Sequence, residues 1–313
     1  MKIDLDVLGN TELISLMLMS RYREAGYKRY RMDRFEEYDL YVRNKDFLVS
    51  DSVLTFTDTG GRLMALKPDV TLSLIKSVRP RRGSVSKLYY SESVFRPSRG
   101  DNGFREIPQT GVECMGDVDT AAEREILSLA SDSLSICGER HILEVSHAAL
   151  LGSFVDALGI SSSAREKLMG LIWTKNLHEA SALMSSSGAD SSAAGRLIRL
   201  LGLSGSASEV LGGAYELACS PGERQYISEL EQVCLGMDDV QVDLSAVSDA
   251  SYYNGIVFRG YVDGMPRRVL SGGRYDVLLG RLGYDASAIG FAVYMDELER
   301  IDPRVSGADP AEV

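Results

Sequence analysis

The sequence is short of several features that mark whole classes of protein. No stretch approaches the roughly 20 apolar residues of a membrane span. The opening MKIDLDVLGNTE has no basic segment leading into an apolar one, so no secretory signal is read there and a cytoplasmic protein is expected. Cysteines number four: Cys114, Cys137, Cys219 and Cys234. None forms a C-x-x-C pair, and the three histidines (His141, His147, His178) make no H-E-x-x-H pattern. These absences argue against a metal site and leave the cysteines as small buried hydrophobes of a reducing compartment. There is no G-x-G-x-x-G after a strand and no Walker A sequence, which removes the Rossmann and P-loop nucleotide sites.

Positive charge is also scarce. The 34 basic residues face 45 acidic ones, a net charge of −11. Such a chain repels nucleic acid unless a local patch overrides the global field. Lys76, Arg79, Arg81, Arg82 and Lys87 do cluster, and they read as a solvated turn between a helix and a strand. What remains is ordinary globular composition, 44% hydrophobic and 25% charged. A chain of 313 residues can bury a full core, in one large domain or one with a small appendage.

Periodicity places a helix over 10–26, capped by Asn10 or Thr11 and stopped by Gly26. The segment YKRYRMDRFEEYDLYV reads as strand running into loop. Short strands then flank a turn at Thr59-Gly60-Gly61, and Pro68 breaks the second of them. Asp69 and Thr71 can cap a helix over 71–78. Strands at 87–91 and 109–116 flank the loop VFRPSRGDNGFRE; a helix over 119–137 and a strand over 142–147 follow. Residues 148–236 are rich in Ala, Ser, Leu and Gly at helical spacing, with loose turns at 185–192 and 203–208. From 240 strands return in VQVDLS, YYNGIVFRGYV, RRVLSGG and AIGFAVY, with a last helix at 295–301. The expectation is an α+β fold: a mostly antiparallel sheet flanked by helices, formed by 1–147 and 237–303. A helical insertion would occupy 148–236, and 304–313 would be a frayed tail.

Three blocks carry chemistry. Gln109 and Glu113 are four apart, so on a strand they share one face, with Thr110, Val112 and Cys114 on the other. An amide and a carboxylate facing a cavity suit an ammonium or imidazole ligand. Taken alone, the same strand also reads as an amphipathic strand facing water. Tyr252-Tyr253-Asn254-Gly255 offers an aromatic wall with hydroxyls, or core packing beside an Asn-Gly hairpin turn. Ser271-Gly272-Gly273-Arg274-Tyr275-Asp276 allows close backbone approach, or a strand-to-helix turn capped by Ser or Asp.

Taken in order, the blocks resemble the catalytic core of histidyl-tRNA synthetase, a class II aminoacyl-tRNA synthetase. F-R-x-E…R-E-F-x-Q-x-G-x-E-x-x-G is matched by Phe95-Arg96 through Gly116, and R-G-L-D-Y-Y-T-G-x-V-F by Ser248 through Phe258. G-G-R-Y-D is matched by Gly272–Asp276, and G-F-A-x-G-x-x-R-L by Gly290–Leu298. The resemblance covers about 10–301 and implies a class II core. Its departures bear on activity. Ser248 stands where the family has the arginine that holds the substrate carboxylate, and Glu297 where an arginine grips ATP. A like charge about 4 Å from a phosphate costs roughly 4 kcal/mol at an effective dielectric of about 20. Pro97 lies in the loop after Arg96, which lacks the usual Glu, and Asp33 replaces the proline of the first class II motif. No anticodon-binding domain is expected.

With those arginines gone, the chain is similar to the regulatory subunits of ATP phosphoribosyltransferase, synthetase paralogues that pair with a short-form catalytic subunit. This resemblance implies a non-catalytic subunit without cofactor or metal, a homodimer within a hetero-octamer, activation of the partner and a part in histidine feedback, with neither tRNA nor membrane. Carried over by position, Asp69, Thr71 and Gln109 would meet a ligand's amino group. Glu113 and Tyr253 would meet an imidazole, Tyr252 would form a wall, and Arg96 would hold a carboxylate or phosphate. A divergent ligase and an amino-acid-sensing paralogue with another partner stand as alternatives.

Overall fold

The computed structural model describes residues 8–44, 48, 53–98, 103–237, 239–246 and 253–299. Two compact units divide the chain. The first takes Met1–His141, Ala250–Tyr252 and Gly260–Val313; the second takes Ile142–Asp249 and Tyr253–Arg259.

Helix α1 (Asn10–Glu24) opens the described chain. The Glu12 carboxylate accepts the Gly9 N–H, and Leu13, Ile14, Met17, Leu18 and Tyr22 form its buried face. Strand β1 (Lys28–Arg29), strand β2 (Phe35–Glu37) and a single turn of helix, α2 (Asp39–Val42), occupy the segment read as strand into loop. Strands β3 (Thr55–Thr57) and β4 (Leu63–Leu66) form a hairpin. Its turn is built by the Asp58 carboxylate, which accepts the N–H groups of Gly60 and Arg62 at 2.8 Å each, and by Gly61 at φ 79°. Helix α3 (Val70–Val78) starts one residue earlier than expected. Asp69 alone caps it, accepting the Leu72 N–H at 3.1 Å, which frees the Thr71 hydroxyl for other use.

Strands β5 (Val85–Pro97) and β6 (Phe104–Gly116) are much longer than expected. They pair antiparallel from Val85↔Gly116 to Pro97↔Phe104, and the Ser98 N–H meets the Gly103 carbonyl at 2.8 Å. The segment taken as an Arg/Gly/Ser loop is therefore mostly ladder. Cross-strand pairing and the burial of Val94 and Ile107 outweigh its polar composition.

Helix α4 (Thr120–Cys137) is capped by Asp119, and β7 (His141–His147) follows. The helical block comprises α5 (Ala148–Asp156), α6 (Ser162–Trp173), α7 (Leu177–Ser186) and α8 (Ser191–Leu201), then α9 (Ala207–Leu217) and α10 (Pro221–Cys234). Ser204–Ser206, expected as a loose turn, forms strand β8 and pairs with β9 (Val240–Asp243). Strand β10 (Ile256–Val262), strand β11 (Leu270–Arg274), helix α11 (Asp276–Arg281) and strand β12 (Ser287–Tyr294) complete the order. Asn254-Gly255 makes no hairpin: it leads into β10, and the Gly255 carbonyl accepts the Ala148 N–H. Met295–Glu297 is a 3-10 turn rather than the start of a longer helix.

In the first unit the strands run β1-β5-β6-β12-β11, antiparallel except for β1 beside β5. Helices α1 and α4 pack on this sheet. Tyr22 is fully buried between them, edge-on to Phe291 at 5.9 Å, with its hydroxyl 2.9 Å from that of Ser133. In the second unit Arg196 ties helix to helix. It meets both oxygens of Glu223 at 2.7 and 2.8 Å and lies 4.7 Å over the Phe154 ring. No helix among the described residues is long and apolar enough to cross a membrane.

The first unit also buries a charge. Lys67 has 0% exposure, and its ammonium donates to Glu92 Oε2 at 3.1 Å, while Glu92 Oε1 accepts the Met32 N–H. Breaking such a pair from one side leaves an unpaired buried ion. Glu92→Gln is expected to cost about 3 kcal/mol in urea unfolding, and adding Lys67→Met should recover most of that loss.

Candidate functional site

The centre of β6 positions the site. Residues Gln109–Gly116 are buried on both faces, so the reading of this strand as facing water does not hold. One face looks toward α1, where Thr110 Oγ1 lies 2.9 Å from Ser15 Oγ. The other carries Gln109 and Glu113, 4% and 3% exposed.

Glu113 is opposite Gly290 in the β6–β12 register. A Cβ at Gly290 would lie 1.9 Å from Glu113 Oε2 and 2.5 Å from the Val112 carbonyl oxygen, so only glycine leaves room for this carboxyl group. Thr71 Oγ1, in the first turn of α3, donates to Glu113 Oε1 at 3.3 Å. Tyr275 Oη donates to Glu113 Oε2 at 2.5 Å. Burial pushes the Glu113 carboxyl up to about 8, and the negative charge of Asp69 adds to this; the hydrogen bonds from Tyr275 and Thr71 work in the opposite direction.

A second corner lies at the cap of α3. Asp69 is 7% exposed, and its Oδ2 stands 3.9 Å from Arg96 Nη2. Arg96 Nε donates to the Pro68 carbonyl at 2.9 Å, which fixes the guanidinium beside the helix start. Asp69, Thr71, Arg96 and Glu113 are thus brought together. Gln109 shares the Glu113 face about 13 Å along the strand. Tyr253 is half-buried in the second unit. Tyr252 and Ser248 lie outside the described residues.

Tyr275 belongs to the G-G-R-Y-D match, and nothing in the sequence alone assigns it to the ligand site. The contact spans 162 residues of sequence, and the only advance signal was the motif around it. Arg274 holds that motif in place. It meets Asp276 Oδ2 at 2.8 Å, Glu123 Oε1 at 2.9 Å and Ser287 Oγ at 3.1 Å. Asp276 Oδ1 accepts the Ala288 N–H, and the Tyr275 N–H meets the Ala288 carbonyl. Tyr275 therefore leaves the end of β11 in one direction.

Beyond β12, Glu297 Oε1 lies 3.2 Å from Arg267 Nη1, and Asp296 Oδ2 lies 3.4 Å from Arg105 Nη1. Asp296 Oδ1 is buried with no hydrogen-bond partner among the described residues, and burial pushes this carboxyl above the usual range. Two acids and two arginines thus neutralise each other here. No group of three or more His, Cys, Asp and Glu side chains among the described residues is arranged to hold a metal ion.

The family profile described as Histidyl-tRNA synthetase matches residues 8–298. The ATP phosphoribosyltransferase regulatory subunit of Clostridium kluyveri is 30% identical over 293 residues, spanning 90% of this chain and 75% of that protein. The chain belongs to the histidyl-tRNA synthetase family, on its ATP phosphoribosyltransferase regulatory-subunit branch. Solved members of the histidyl-tRNA synthetase family share its fold. A Bacillus halodurans protein described as an ATP phosphoribosyltransferase regulatory subunit/histidyl-tRNA synthetase superposes with a TM-score of 0.82 at 24% identity, over 93% of this chain and 78% of that one. A chain of the Thermotoga maritima ATP phosphoribosyl transferase (HisG:HisZ) complex gives a TM-score of 0.68 at 20% identity, over 90% and 96%. The class II synthetase-like fold is therefore established for this branch member.

The raised Glu113 carboxyl has a direct consequence for stability. Folded protein keeps a proton that the unfolded chain loses above its ordinary value, so Glu113 disfavours folding increasingly as pH rises from about 4.5 to about 8. Urea midpoints of the native chain should fall across that window relative to those of Glu113→Gln. Gly290→Ala should cost about 2 kcal/mol or more in the same assay, because backbone as well as the Glu113 side chain would have to move.

Proposed function

We propose that this chain is a regulatory subunit of ATP phosphoribosyltransferase in histidine biosynthesis, acting in the cytoplasm. It activates a short catalytic subunit, contributes to histidine feedback and performs no chemistry of its own. The observation that carries this reading is Glu297. It stands where a synthetase grips ATP with arginine, and the cation beside it, Arg267, is occupied by it at 3.2 Å. Adenylate formation depends on cationic clamps at the phosphates, and a carboxylate there works against them. The branch on which the chain falls supports the same reading.

On this reading the amino-acid side of the site is retained for sensing. Within the first unit, Glu113 would meet the imidazole of histidine, and Asp69, Thr71 and Gln109 its amino group. Arg96 would take its carboxylate or a phosphate. Glu113, poised near 8, can present either a proton or a charge to an imidazole. With Ser248 in place of an arginine, one charge-assisted contact worth about 1.5–3 kcal/mol is lost, so binding is weak. The subunit acts as a homodimer within a hetero-octamer, without tRNA; 148–236 is its helical insertion and 1–147 with 237–303 its core.

Reconstitution tests this. Mixed with a short-form catalytic subunit, the chain should raise phosphoribosyl transfer at least about tenfold, and histidine should lower that rate. The purified chain alone should give no histidine-dependent pyrophosphate exchange. Sustained exchange, with no effect on phosphoribosyl transfer, would return the ligase reading.

A further inference from the structure

The second unit contains a cleft that the histidine-like site does not use. It lies between α9 and the C-terminal end of α10, floored by the start of β9, with a volume of about 460 Å³. That is within the range of small-molecule sites. Leu211 and Val240 form a buried floor, and Met237 and Leu235 form one wall, Leu235 with 68% of its surface exposed at the rim. The polar side is Tyr215 and Glu231, with Ser206 and Ser208 at the start of α9. The tyrosine hydroxyl donates to Glu231 Oε2 at 3.0 Å, which orients the carboxylate.

Glu231 is the one charged side chain lining the cleft among the described residues, and Arg224 acts on the Tyr215 hydroxyl from outside the lining. Helix α10 has no basic residue in its last turn, so its negative end and the Glu231 charge add together. The whole unit carries 14 acidic against 7 basic residues. An anion is repelled by this arrangement, and a neutral apolar molecule gains nothing from it. An ammonium group gains the Glu231 carboxylate and the negative end of helix α10. We propose that this cleft binds a small primary amine carrying an aromatic or branched aliphatic body, with the ammonium on Glu231 and the body against Leu211, Met237 and Val240. The proposal rests on the second unit alone and stands or falls apart from the regulatory reading.

Three probes with one body and different charge test it: phenethylamine, 2-phenylethanol and phenylacetate. The full chain is labelled with 13C at its methionine methyls, and the Met237 signal is assigned with Met237→Leu. Phenethylamine should shift Met237 saturably and bind about tenfold tighter than 2-phenylethanol, while phenylacetate should leave the signal in place. Glu231 is exposed, so Glu231→Gln keeps the fold; it should bring the amine down to the affinity of the alcohol. Equal binding of amine and alcohol to the native chain, no saturable shift at millimolar amine, or undiminished amine binding by Glu231→Gln would each overturn the proposal.

Discussion

A carboxyl group in the middle of a sheet is tolerated only where its oxygens are met and its volume is left vacant. Glu113 satisfies both conditions through residues far apart in sequence. Gly290 supplies the space from β12, Thr71 the first donor from α3, and Tyr275 the second from the end of β11. The environment completes the arrangement by favouring the protonated carboxyl. Other features of the first unit serve this contact. The Asp69 cap frees the Thr71 hydroxyl, and the Arg274–Glu123–Asp276 cluster sets the direction in which Tyr275 leaves its strand.

The far end of β12 has a different character. Asp296 and Glu297 engage Arg105 and Arg267, so a place expected to attract a polyanion holds internally compensated charge. The framework is that of the synthetase family, and on the proposed regulatory reading this end no longer serves a triphosphate. A scaffold can therefore stay intact while a few side chains decide whether it acts on a ligand or only holds one.

The sequence disclosed this unevenly. The helix read over 10–26 was legible from its apolar spacing and from the glycine beyond it, although it runs 10–24 and starts after Gly9 rather than at a cap from Asn10 or Thr11; the cap of α3 was legible from Asp69. The shared face of Gln109 and Glu113 followed from strand parity alone. The length of the β5–β6 hairpin was not legible. Ser, Arg and Gly dominate 96–106, and only pairing with a partner strand turns such a segment into ladder. The hydroxyl that meets Glu113 was equally hidden, since no local pattern says that Tyr275 crosses to β6. The last helix was overextended, because the apolar spacing of Met295 and Leu298 fits a 3-10 turn as well as an α-helix.

The long hairpin has a consequence for how this chain can vary in length. Inserting or deleting one residue within β5 or β6 would invert every side chain beyond that point, moving Glu113 away from Thr71 and Tyr275. Growth or loss is tolerable only beyond the Ser98–Gly103 closure, where the parity of both strands is untouched. Homologous sequences should therefore differ in length at 99–102 and keep a fixed count from there to Glu113.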